Sequence, residues 1–195
     1  MRLMDSWEKF LNPKELRQSL INASLYIAAY ESCKESVVGK LQSFYSDYWD
    51  KDGAHPGPEY EQNVMSLSKS PLHASLLWFN ANGAIDEADI LQMSQARELR
   101  NRVVHDLPYF LSEPDRQIDT ETFENLLSVT HKIGVWWAVN VEIATDPDYS
   151  GETIDEEGIQ TGTIMIIQLM MDIANGNEPE EGHYLSAIRQ MRDDA

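Results

Sequence analysis

The chain has 195 residues, with 33 Asp and Glu against 15 Lys and Arg, a formal net charge of −18 at pH 7. Such a surface repels phosphate backbones and argues against extended, non-specific contact with nucleic acid, while a 42% hydrophobic content with five tryptophans excludes a disordered chain. Cys33 is the single cysteine, so an intramolecular disulfide and a cysteine-rich zinc site are both excluded.

That cysteine usage fits a reducing compartment, and the expected location is cytoplasmic. The stretch from Met1 to Phe10 has no cationic region followed by an apolar core, so it does not read as a signal peptide. The longest mainly apolar run, Ile164 to Met171, is too short to span a bilayer, and no membrane association is expected.

Ser6 to Phe10 is expected to form a helical turn. Asn12-Pro13-Lys14-Glu15 then marks a helix start, with Asn as cap, Pro at the first position and Glu reaching back as in a capping box. Leu16, Leu20, Ala23, Ile27, Tyr30, Val37, Leu41 and Phe44 follow a period near 3.6, which predicts a spine helix of about 30 residues that Gly39 could bend. Asp50 to Pro58 is rich in Gly and Pro and reads as a loop, and Glu59 to Lys69 as a weaker helix.

A helix pair follows between Leu72 and Leu111. Ser70 is the expected cap of its first helix, Pro71 the first helical residue, and Gly83 the left-handed residue that ends it. Asp86 caps the second helix, in which Ile90, Leu91, Met93, Ala96, Leu99, Val103 and Val104 recur at helical spacing and are expected to face a core. Pro108 ends that helix, because its ring clashes with the carbonyl of Val104 and disfavours helical geometry at Leu107.

Thr120 is expected to cap another long helix that carries Phe123, Leu126, Leu127, Thr130, Ile133, Gly134, Trp137, Val141 and Ala144 on one side, with Trp136 and Trp137 in the core or at a dimer interface. Asp146 to Glu157 is an acidic loop, and Ile159 to Ala174 a last core helix closed by Asn175-Gly176. Between Ile133 and Ile188 there is no lysine or arginine, so the region 142–181 is strongly acidic, either as a solubility device or as a surface for a basic partner. These elements make the chain all-α, a bundle of four to six helices over residues 1–176 with a short helical tail at 177–195.

Chemistry concentrates at the end of the second helix of the pair. Three of the eight arginines, Arg97, Arg100 and Arg102, fall within six residues, beside Asn101 and His105. Arg97, Asn101 and His105 share a helix face, and Arg100 can swing toward the same edge. His105 sits in the last turn, where the helix dipole favours an imidazolium. A titratable imidazole, a guanidinium and an amide donor are the minimum parts for metal-free cleavage of RNA next to its 2′-hydroxyl. His73 and His131 have no second ligand at i+3 or i+4, His55 lies in a Gly/Pro loop and His183 in the tail, and no cofactor or metal motif is present.

The string Leu72, Leu76, Gly83, Ile85, Leu91, Arg97, Arg100, Asn101 and His105 resembles the HEPN superfamily of helical bundles, whose mark is Arg-x4-His with a polar residue after the Arg. The resemblance is specific over Leu72 to His105 and architectural elsewhere. It implies a HEPN-like fold and a homodimer in which Arg and His from two subunits meet in one cleft. Many members are metal-independent ribonucleases of toxin–antitoxin and defence systems. Carried over, His105 is the general base and then acid, Arg100 stabilises the phosphate, and Asn101 orients them. The implied substrate is RNA and the implied partner an antitoxin. Other members, including relatives of the mannitol operon repressor, are not established nucleases. For them the matching expectation is a regulatory module that binds a basic protein through its acidic region. The Tyr that some toxin members carry two positions after the His is Leu107 here, with Tyr109 two residues further on, so that feature is not carried over.

Overall fold

A computed structural model of the chain describes residues 2–149, 154–177, 179–180 and 182–193. It is mostly helical, with one small sheet among the described residues. In chain order the elements are α1 (Arg2–Leu11), α2 (Pro13–Phe44), a hairpin of β1 (Ser46–Asp50) and β2 (Gly53–Pro56), α3 (Pro58–Asn63), α4 (Pro71–Ala81), α5 (Glu87–His105), α6 (Leu107–Ser112), α7 (Thr120–Trp137), α8 (Gly162–Asn175) and α9 (His183–Asp193). Helix α2 is the spine and touches α1, α4, α5, α6, α7 and α8. The segments outnumber the four to six helices expected, in part because α6 forms around Pro108, which the sequence reads as a stop signal.

Helix α2 runs 32 residues without a break at Gly39. Asn12 caps it by accepting from the Lys14 amide at 3.1 Å. Glu15 reaches back, but to the Asn12 side-chain amide at 2.8 Å, because the Asn12 N–H is already taken by the end of α1. The α2 core face is Ala23, Tyr26, Ala29, Tyr30, Cys33, Val37, Val38 and Leu41, whereas Leu20 and Phe44 near its ends are exposed. Cys33 is fully buried, and burial pushes its thiol up to about 11, which makes it a small packing residue.

Helices α5 and α7 pack along each other. Helix α5 opens with a capping box in which Asp86 accepts from the Asp89 amide at 2.9 Å and Asp89 accepts from the Asp86 amide at 3.1 Å. Asp89 is 3% exposed and also accepts from Lys132 Nζ of α7 at 2.7 Å, so the cap doubles as a tie between the two helices. Midway along α5, the Tyr26 hydroxyl of α2 donates to the Ala96 carbonyl at 2.8 Å. Met93, Ala96, Leu99 and Val103 are the buried residues of the α5 stripe, while Leu91 and Val104, also expected inside, face outward. The apolar run is wider than the face that α7 and α2 cover.

Aromatic rings close the bundle where α4 meets α7. Phe79, with no exposed surface, makes edge contacts to Trp78, Trp136 and Trp137. The cap of α7 is Asp119, which accepts from the Thr122 amide at 3.0 Å, and Thr120 is the first helical residue rather than the cap. Its end widens into a π-helical turn over Ala138–Glu142. Gly134 is there for space: a Cβ would lie 2.4 Å from the Thr161 methyl that crosses α7 at this point. Helix α5 stops at His105, and Pro108 lies in the first turn of α6 instead of ending α5. Lys9 of α1 binds that corner by donating to the carbonyls of Phe110 and Glu113 at 3.0 and 2.6 Å.

The loop expected over Asp50 to Pro58 contains the turn and second strand of the hairpin, with Lys51-Asp52 as the two-residue turn. Tyr48 stacks on His55, whose Nε2 pairs with Asp50 at 2.9 Å. No inside–outside alternation announces these strands, since every residue of β1 after Ser46 is exposed.

Candidate functional site

Three consecutive turns of α5 carry Arg97, Arg100, Asn101 and His105. The core stripe Met93, Ala96, Leu99 and Val103 fixes the rotation of the helix. It leaves Arg97 and His105 exposed and Arg100 and Asn101 half-buried. Arg97, Asn101 and His105 therefore lie on one outward face, as the spacing requires.

Arg100 turns the other way around the helix, toward α2. Its guanidinium pairs with the Glu31 carboxylate, and Nη1 donates to Asn101 Oδ1 at 3.2 Å. Lys34 Nζ donates to the second Glu31 oxygen at 3.0 Å, so two cations hold one carboxylate. Burial works to raise the Glu31 pKa, but the bonds to Lys34 and Arg100 outweigh it and hold the carboxyl below its ordinary value. Arg100 Nε is sealed from water without a hydrogen-bond partner, so the guanidinium is held through its Nη atoms by Glu31 and Asn101.

Arg100 and Asn101 are thus brought together. No hydrogen bond or ion pair among the described residues joins His105 to either of them. His105 ends α5 with its imidazole open to solvent, next to exposed Val104. A helix places residues i and i+5 about 140° apart, which separates Arg100 from His105 within one chain.

Glu31 also forms one end of an open groove of about 820 Å³ that sequence reasoning missed. It runs between α2, the end of α7 and the start of α8. Glu31, Glu35 and Glu142 supply its charge, and Ile166, beside the edge of the buried Trp137, supplies apolar surface. Lys40, the cation in its wall, is committed: its Nζ lies 5.5 Å from the centre of the Trp137 ring. Burial lowers the Lys40 pKa, and Glu142 works against that shift. The glutamates of α2 recur at i and i+4, a visible signal. What the sequence hides is that the end of α7 and the start of α8 lie beside them.

Among the described residues no group of three or more His, Cys, Asp or Glu side chains is placed to hold a metal ion, and no helix is long and apolar enough to cross a membrane. No family model, curated protein or solved structure matches the chain.

Proposed function

We propose that this chain is a HEPN-like protein that cleaves RNA without a metal, in a toxin or defence role, from a cleft shared by two copies. The observation that supports this reading is the division of labour at the end of α5: a solvent-open imidazole at His105, and a guanidinium at Arg100 held by Glu31 and Asn101. Because the two groups point to different sides of one helix, a single chain does not present them to one phosphate. A second copy brings the His105 of one chain toward the Arg100 of the other.

In that cleft His105 removes the proton from the ribose 2′-hydroxyl, and the 2′-oxygen attacks the adjacent phosphorus. Arg100 neutralises charge on the pentacoordinate phosphate. The 5′-oxygen leaves, takes a proton from the imidazolium, and a 2′,3′-cyclic phosphate remains. Glu31 holds Arg100 at rest, and a phosphate must take its place. The test is incubation of RNA with purified protein in EDTA, beside His105→Ala and Arg100→Ala. Removal of a general base or a phosphate-stabilising arginine should lower cleavage on the order of 100-fold or more. Equal cleavage by the variants, or none by the parent chain, overturns the reading.

The Arg100–Glu31 pair favours a second reading, since a guanidinium already neutralised by a carboxylate needs no phosphate. In that reading the chain is a regulatory HEPN-like module without catalysis. Its acidic surface binds a basic protein, and the association weakens with salt and is indifferent to His105→Ala.

A further inference from the structure

Two features of the molecule have matching chemistry, and no described residue of the second lines the first. The first is the acidic groove, with Glu31, Glu35 and Glu142 around Trp137 and Ile166. Ile166 is 58% exposed and begins an outward stripe on α8 that continues through Leu169 to Ile173, opposite the buried Ile167. A helix this apolar, with Asp172 as its one charge, is normally covered on more than one side.

The second is α9. It hangs from the far end of α8 by a hydrogen bond from the Tyr184 hydroxyl to Asp172 at 3.0 Å. Leu185 and Ile188 are 55% and 65% exposed, so α9 leaves its own apolar residues in water. At 100° per residue, Leu185, Ile188, Arg189 and Arg192 fall on one side of the helix, a cationic rim on an apolar strip. Arg189 and Arg192 are also the only Lys or Arg residues after Lys132. The two cations that follow the cation-free stretch therefore lie on one side of α9, beside its exposed apolar residues.

We infer that α9 of one copy docks in the acidic groove of a second copy, with Leu185 and Ile188 against Ile166 and the edge of Trp137, and the arginines toward Glu35 and Glu142. The exchange is reciprocal, so two identical contacts close a dimer of two-fold symmetry and leave no open end. An arginine that reaches the inner end of the groove also competes with Arg100 for Glu31. This docking goes beyond the RNA reading and is measured without RNA.

The test uses the full chain with added cysteines, since Cys33 is fully buried. Ser36→Cys places a thiol in the groove wall and Ser186→Cys places one on α9. A short bis-maleimide should link the two single variants when they are mixed and should link neither alone. Sedimentation should show a dimer whose self-association weakens at least tenfold in L185D/I188D and in R189E/R192E. Mixing R189E/R192E with E35R/E142R should restore it. Residues Leu185, Ile188 and Arg189 are exposed, so these variants keep the fold, which circular dichroism checks. A monomeric parent chain overturns the inference. So does a dimer that persists in L185D/I188D, although a shared RNA cleft would survive that result. Linkage confined to the S36C/S186C double variant, at a rate independent of concentration, places α9 in its own groove and likewise overturns it.

Discussion

Helices α5 and α8 invert the usual relation between composition and burial. Helix α5 carries six Asp, Glu and Arg residues, yet Met93, Ala96, Leu99 and Val103 are all inside and both of its neighbours are bonded to it by side chains. Helix α8 carries one charge, yet Ile167 is its one buried residue, with Met170 and Met171 half-buried against the core. The difference lies in what surrounds them. Helix α5 is sandwiched between α2 and α7, whereas α8 lies on α2 with its other side toward water. Burial follows from position in the bundle, and apolar surface left over at α8 is surface for assembly.

The widest gap between the two regions should appear on truncating one apolar side chain in each. On α5, Met93→Ala truncates a side chain that is only 1% exposed, which costs about 2–5 kcal/mol by the usual cost of large-to-small core changes. Ile166→Ala on α8 should cost the isolated chain less than about 0.5 kcal/mol, because that side chain is mostly in water already. Urea unfolding of both variants at low protein concentration reads the difference. A large loss at Ile166 means that α8 is a core helix and breaks the contrast.

Much of α5 was legible beforehand, because a helix with a cap and a 3.6 period states its own limits. Asp86 and Gly83 are where the pattern requires them, with Gly83 at φ 78°. The buried stripe was read too wide by Leu91 and Val104, since periodicity reports which side is apolar and not how broad a neighbour covers it. The hairpin at 46–56 was not legible, because its strands bury neither face and alternation is the signal that identifies strands. At the candidate site, the spacing puts Arg100, Asn101 and His105 at the end of α5, but Arg100 turns toward α2 and not to the edge of His105. The partner that matters most to Arg100 was out of reach: Glu31 lies 69 positions earlier, and no local rule pairs them.

The two glycines within the long helices sharpen the comparison with opposite signs. At Gly134 a new Cβ would meet the Thr161 methyl at 2.4 Å, and Thr161 is too short to swing clear. Gly134→Ala should destabilise by about 1–2 kcal/mol and loosen the approach of α8 to α7. At Gly39 the nearest atom is a Glu35 oxygen at 3.7 Å, an ordinary contact, so Gly39→Ala gains helix propensity and should stabilise by about 0.5–1 kcal/mol. Thermal unfolding of the pair gives both signs in one experiment. Stabilisation by both would mean that Thr161 does not rest on α7 in solution.

The smallest expected effect lies at the seam between the two regions, where Glu31 belongs to the packed spine and also to the groove. Its pKa in the folded chain is lowered, so ionised Glu31 contributes stability above the ordinary carboxylate value near 4.3. That contribution fades as pH falls from there through the lowered folded value, since protonation releases Arg100 and Lys34. Its size should stay under about 1 kcal/mol, because more than a third of the side chain, 37%, faces water. Urea midpoints taken from pH 6 to pH 3 should therefore fall less steeply for Glu31→Gln than for the parent chain. Identical slopes would mean that Glu31 and Arg100 are not paired in solution. In that case the guanidinium is already available to an anion at rest, and the reading in which Glu31 must be displaced loses its starting state.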